Sequence, residues 1–251
     1  MSGERGRQSM QVVTLSLYHF TGLPAKLWAF SQMGLMRPAV TRMEGTSFAK
    51  MLGSGAGAGF SLKPDFSTYG LLCAWRDMGT ARAAQAHAKP FARYRDRADR
   101  SATLYLTATQ ARGQWNGRAP FAVDAQTRPT GPIVALTRAT LRWATLTQFW
   151  SLVPAISDMA EADPHQHFMM GLGEVPYKHM MTFSIWDDVA AMRAFSVNSP
   201  THGVAVRRAW DEGWFAEYLF ARFNLLAVEG RWPGLDRFAA GEPEIEPMQA
   251  A

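Results

Sequence analysis

The 251-residue chain carries 26 Lys and Arg against 21 Asp and Glu, with 47% hydrophobic and 19% charged residues. That balance excludes a disordered chain and allows one large domain or two small ones, either big enough to enclose a cavity. No run approaches the roughly 20 apolar residues of a spanning helix, no apolar region follows the polar N-terminus as in a secretory signal, and the single cysteine excludes an internal disulfide; a cytoplasmic protein is expected.

The charge is uneven, with net +9 in residues 1–125 and −4 in residues 126–251. In chain order, Val12 to Leu17 has the alternation of a half-buried strand. Pro24 then opens a helix whose apolar positions are Leu27, Trp28, Phe30 and Met33. The glycine-rich stretch from Gly53 to Gly59 lacks the Lys-Ser/Thr of a phosphate loop, and a strand follows it, so a hairpin connection is expected. Leu71 to Trp75 reads as an apolar strand in which Cys73 serves as a small buried hydrophobe. Lys89, Arg93, Arg95, Arg97 and Arg100, interleaved with Asp96 and Asp99, suit a solvated helix face. They also suit a dock for an acidic partner or an anionic membrane surface. Nucleic acid is not expected, since neither a recognition helix nor an aromatic RNA-binding signature accompanies the charge.

A proline-punctuated linker is expected over residues 118–132. After it the same grammar returns. A strand at Ile133 to Thr137 precedes a helix with Leu146, Phe149, Trp150 and Val153. Gly171-Leu172-Gly173 answers Gly53-Ser54-Gly55. Trp186-Asp187-Asp188 answers Trp75-Arg76-Asp77, 111 positions away, and Gly230-Arg231-Trp232-Pro233-Gly234 answers Gly113-Gln114-Trp115-Asn116-Gly117. An ordered repeat of this kind predicts an α+β protein of two ferredoxin-like βαββαβ halves, residues 11–117 and 133–238, followed by a disordered tail over 239–251.

Histidine is the informative residue type. His165 and His167 follow Asp163-Pro164 in a polar turn and are expected to be solvated, while His179 begins a strand and could stand at a cavity mouth. Ser199-Pro200-Thr201-His202 has the form of an N-cap followed by an opening helical turn. Val206, Ala209 and Trp210 continue an apolar stripe from it. An imidazole facing an apolar cavity suits a haem-iron ligand, and a satisfied core histidine fits the spacing as well.

Several longer motifs carry a resemblance: Leu27-Trp28-Ala29, Gln32-Met33-Gly34-Leu35, Gly131 through Thr140, Gly171-Leu172-Gly173-Glu174-Val175-Pro176, Thr182-Phe183-Ser184-Ile185-Trp186, and Glu212-Gly213-Trp214-Phe215 with Ala221-Arg222-Phe223. Together, over residues 11–235, they resemble the spheroidene monooxygenase family, carotenoid 2-ketolases of purple photosynthetic bacteria. The resemblance implies a dimeric α/β-barrel architecture within one chain and a haem b cofactor. It also implies oxidation of C2 of spheroidene or hydroxyspheroidene with dioxygen and reduced ferredoxin. The proximal-histidine role maps onto His202, with His179 next, and Glu174, Arg207 and Trp210 become candidate pocket residues. A peripheral contact with the photosynthetic membrane would bring the carotenoid within reach. A cofactor-free barrel monooxygenase and a non-catalytic haem or carotenoid binder are the alternatives.

Overall fold

The computed structural model describes residues 10–57, 63–199 and 201–239; the expected tail therefore lies almost wholly outside the described residues. The first half runs β1 (Val12–His19), α1 (Leu23–Leu35), α2 (Arg37–Thr41), β2 (Thr46–Gly55), β3 (Pro64–Trp75), α3 (Met78–His87), α4 (Lys89–Arg95) and β4 (Arg100–Gly113). The second runs β5 (Ile133–Leu141), α5 (Leu146–Glu161), β6 (Gln166–Val175), β7 (His179–Trp186) and α6 (Val189–Arg193). A π-helical turn Ala194–Asn198, α7 (His202–Asp211) and β8 (Phe215–Gly230) complete it.

The eight strands close into one antiparallel barrel in the order β1-β3-β2-β6-β7-β5-β8-β4. Within each half the order is fourth, first, third, second. The halves meet at two seams of very different strength. β4 and β8 pair from Ala102↔Gly230 to Gly113↔Leu219, whereas β2 and β6 share only Gly53↔Gly173 and Ser54↔Leu172.

One core fills the barrel, drawing Val13, Leu15 and Leu17 from the first half together with Val134, Leu136 and Phe223 from the second. Since closure puts one face of every strand inside and helices cover the other, β1 is buried on both faces. Its polar alternation, which reads as a solvent face in sequence, belongs to hydrogen-bonded side chains instead. Thr14 Oγ1 accepts from Trp75 Nε1 at 2.9 Å, and Ser16 Oγ accepts from Gln85 Nε2 at 2.9 Å.

The recurring motifs have clear structural duties. The acid two positions after each tryptophan caps the next helix: Asp77 Oδ1 accepts from Thr80 N at 2.7 Å and Asp188 Oδ1 from Ala191 N at 2.8 Å, satisfying backbone donors that have no partner within their helix. The two Gly-x-Trp-x-Gly turns plug opposite ends of the barrel. Trp232 packs beside His19 and Arg100, where β4 starts, and Trp115 follows the end of β4; they are 5% and 1% exposed. Gly113 and Gly230 enter these turns at φ 102° and 88°, and a Cβ there would lie 2.2 Å from Tyr218 O and 2.4 Å from Ser101 O. Only glycine fits both constraints.

Candidate functional site

The two halves differ most in the layer between sheet and helices. In the first half that layer is solid, filled by Tyr18, Phe20, Trp75, Phe91, Tyr94 and Tyr105. In the second it encloses a cavity of about 690 Å³ between the outer face of β5, β7 and β8 and helices α5, α6 and α7.

Strand register explains the difference. Val12 pairs with Trp75 and Ile133 with Trp186, which sets the two sheets in correspondence. Tyr18 then corresponds to Ala139, Tyr69 to Met180, Leu71 to Thr182 and Cys73 to Ser184. Thr14 faces Tyr105 across β1–β4, and its counterpart Ala135 faces Arg222 across β5–β8. Two large aromatic rings have been exchanged for a methyl group and a thioether, and a third for a guanidinium. The volume removed is the cavity, because protein interiors otherwise pack without voids of this size.

His202 stands in the cavity wall at the first residue of α7. Ser199 Oγ accepts from the backbone N–H of Thr201 and of His202 at 3.3 and 3.1 Å, fulfilling the cap expected of it. His202 Nδ1 lies 3.0 Å from Ser196 O. A carbonyl can only accept, so Nδ1 carries the proton and Nε2 keeps its lone pair. Burial pushes the imidazole pKa below its ordinary value, which holds the ring neutral. Phe195 stacks on it at 5.0 Å and 29°, and Trp186 lies 5.0 Å beyond Phe195. The π-helical turn supplies both Phe195 and Ser196, a device often found at functional sites. Gly203 lets that turn approach α7, since a Cβ there would sit 2.3 Å from Val197 O.

The remaining walls are largely apolar, with Phe149, Val153 and Ile156 from α5, Val206 from α7, and Trp214. Gln110, Arg112 and Arg222 line one edge. Among the described residues neither arginine has a carboxylate partner. Burial and the nearby Arg193 lower the Arg222 pKa.

The structure brings His202 and Trp210 together at the cavity, with Trp210 42% exposed and edge-on to Tyr218 at 4.6 Å. Glu174 and Arg207 fall outside its lining. Glu174 projects inside the barrel, 2.6 Å from Lys50 Nζ and accepting from Trp115 Nε1 at 2.6 Å, because β6 alternation turns it away from the helices. Arg207 is exposed on the outer side of α7. His179 borders a separate groove at the β2–β6 seam. His165 is exposed, as expected for a solvated turn, but His167 is not solvated: Arg237 donates to its Nδ1 at 2.7 Å and Asp187 accepts from its Nε2. Cys73 is fully buried, and burial raises its thiol pKa. No cluster of three or more His, Cys, Asp or Glu with metal-site geometry occurs among the described residues, and none of their helices is long and apolar enough to cross a membrane.

Sequence reasoning missed Arg112, Arg222, Phe195 and Gly203. The tryptophan repeat alone does not reveal the cavity, since its offset of 111 sets Tyr18 against Pro129; strand register is what places Tyr18 in correspondence with Ala139.

No family model matches the chain. Among solved structures, an aldoxime dehydratase in complex with butyraldoxime superposes with a TM-score of 0.61 over 94% of this chain and 88% of its own, at 11% identity. A second aldoxime dehydratase gives 0.59 over 88% and 83%, at 11% identity. At such identity the likeness shows the fold. The curated relatives are more informative. A spheroidene monooxygenase of Rhodobacter capsulatus is 41% identical over 94% of this chain and 99% of its own length. That of Cereibacter sphaeroides is 38% identical over 90% and 70%, and that of Rubrivivax gelatinosus 32% identical over 84% and 80%. With such identity sustained over nearly its whole length, this chain belongs to the spheroidene monooxygenase family and is a monooxygenase.

Proposed function

We propose that this chain is a haem-dependent carotenoid monooxygenase that introduces a keto group at C2 of spheroidene, giving spheroidenone, and accepts hydroxyspheroidene as well. Dioxygen and reduced ferredoxin are the co-substrates. Family membership supports the carotenoid substrate. The observation that carries the haem reading is the hollow layer of the second half with His202 in its wall, set against a filled layer in the first half.

The residues present fit the group. His202 offers a neutral imidazole with Nε2 free, and the Nδ1–H bond to Ser196 O fixes its ring and strengthens it as a donor to metal. Arg112 and Arg222, without carboxylate partners, would take the propionates. Aromatic and aliphatic walls suit the macrocycle, and 690 Å³ lies in the range of ligand pockets, ~300–1,000 Å³. When bound, haem supplies the activation of dioxygen.

The protein's own work is then positioning and exclusion. Leu152, Val153 and Val206 keep water from the reacting carbon, and the hydroxyls of Thr182 and Ser184 add polar points on the β7 wall. Each hydroxylation consumes one O₂, two electrons and two protons and releases one water. Two at the same carbon give a geminal diol, whose dehydration leaves the ketone.

Further features support the finer points. The shared strand order, paired caps and paired tryptophan turns support an origin by duplication of a ferredoxin-like unit. The net +9 of the first half would receive an acidic electron donor. Leu23, Leu27 and Phe30 form an exposed apolar stripe on α1 beside Lys26, suited to a peripheral membrane contact.

The test is direct. Protein expressed with ample haem should show a Soret band that His202→Ala removes, and should convert spheroidene to spheroidenone with reduced ferredoxin and O₂. Absence of the band in the wild type would remove the haem mechanism. Haem binding without product would leave a carotenoid or haem binder.

A further inference from the structure

The paired Gly-x-Gly segments find no use in the haem cavity. They meet each other instead: Gly53 pairs with Gly173 and Ser54 with Leu172 at the short β2–β6 seam. Leu52 and Leu172 point into the barrel core, so strand alternation turns Gly53, Gly171 and Gly173 to the outside. Three adjoining positions without side chains make a low floor, bordered by Ser54, Gly55 and Leu172. Above it lies a groove of about 200 Å³ walled by Phe30, Phe66, Trp150, Pro176 and Tyr177.

Two of these glycines are kept for different reasons. A Cβ on Gly173 would lie 2.4 Å from His179 O, so sheet packing demands glycine there. A Cβ on Gly53 would meet nothing within 4 Å. Nothing in the fold requires glycine at 53, and its effect is to leave the groove open, as expected where a ligand approaches the backbone closely.

The polar groups bordering the groove are engaged elsewhere or neutral. Glu174 is held by Lys50 and Trp115, Asp65 accepts from Ser67 N at 2.8 Å, and burial lowers the His179 pKa. The outer rim is apolar and open, with Phe30 and Phe66 57% and 50% exposed and their rings edge-on at 5.6 Å. At the inner end, Met180 lines both this groove and the haem cavity.

We propose that the glycine-floored β2–β6 seam is the seat of the substrate's polyene chain, whose reacting end passes Met180 into the cavity. The inference rests on the reading of the chain as a haem-dependent carotenoid monooxygenase. The main cavity has the size of one drug-sized ligand and cannot take both a tetrapyrrole and the full length of a long polyene, so most of the substrate lies elsewhere. A flat conjugated chain packs well on a floor without side chains between aromatic walls.

Gly53→Leu fills the groove from a position where an added Cβ meets nothing within 4 Å. With spheroidene in detergent micelles as the probe, it should raise KM tenfold or more and abolish spheroidene-dependent quenching of tryptophan fluorescence, while haem affinity and the Soret band stay as in the wild type. Gly53→Ala should give a smaller change in the same direction. A folded Gly53→Leu protein with wild-type KM and quenching overturns the proposal. Should the wild type bind no haem or form no ketone, the functional reading fails, and the quenching comparison still decides the groove. If the leucine variant folds poorly, Phe66→Ala at the exposed rim replaces it. It should weaken spheroidene quenching severalfold, and unchanged quenching counts against the groove.

Discussion

His202 donates its Nδ1–H to Ser196 O at 3.0 Å, across the π-helical turn that links α6 to α7. The contact sets the tautomer, the ring plane and the free nitrogen of the residue proposed to hold iron. It also ties that residue's behaviour to the backbone of a single turn.

Gly203→Ala should disturb this turn first. The added methyl would meet Val197 O at 2.3 Å, and relieving an overpacked contact of this kind costs about 1–3 kcal/mol. Thermal denaturation should show the loss of stability. The Soret maximum should move as the His202 ring leaves its plane, and an unchanged spectrum would mean that the turn does not hold the ligand.

Acid should act through the same imidazole. Burial places its folded pKa below the ordinary value near 6.5. Above that value the ring is neutral in both folded and unfolded chains and contributes nothing. As pH falls through it, the unfolded chain gains a proton that the folded chain resists, so stability declines. His165 runs the opposite way, since its hydrogen bond to Asp187 raises its pKa; its contribution is present at low pH and lost as pH rises through the folded value. Comparing melts of the haem-free wild type and His202→Asn between pH 7.5 and 5.5 isolates the His202 part, which should be the steeper loss in the wild type.

Arg222→Ala should weaken haem binding about tenfold, equivalent to about 1.4 kcal/mol, and Arg112→Ala less, because Arg112 is the more exposed of the two. Haem dimethyl ester, which lacks carboxylates, provides the control. The wild type should prefer haem over the ester, and the double variant should bind both alike. A preference that survives in the double variant would move the carboxylate site elsewhere.

Glu174→Gln tests the residue that sequence resemblance assigned to the pocket. Its carboxylate is half-buried against Lys50 and Trp115, and removing its charge leaves the Lys50 ammonium without its partner. The expected result is a lower melting temperature with an unaltered haem spectrum. A spectral change at full stability would return Glu174 to the cofactor site.

Much of this was legible in the chain itself. Trp75 and Trp186 mark the same strand end in each half, each with an acid two positions on, and Ser199 announces the turn that presents His202. Glu174 and Arg207 were misleading because a motif fixes neighbours along the chain, while the face a side chain occupies depends on strand alternation and helix rotation. The two Gly-x-Gly segments read as separate loops, since nothing local says that they will pair with each other.

By itself, the sequence determined the strand and helix order, the recurrence of the same motifs in both halves and the residue in the opening turn of α7, because these follow from periodicity and from hydrogen bonds over a few positions. Only the tertiary structure decided that the barrel closes, that the second layer is hollow and that a glycine-floored groove adjoins it. Cavities are differences of side-chain volume summed across elements distant in sequence, and the exchange of Tyr18 for Ala139 acquires its meaning only when register sets those residues at equivalent places on two sheets.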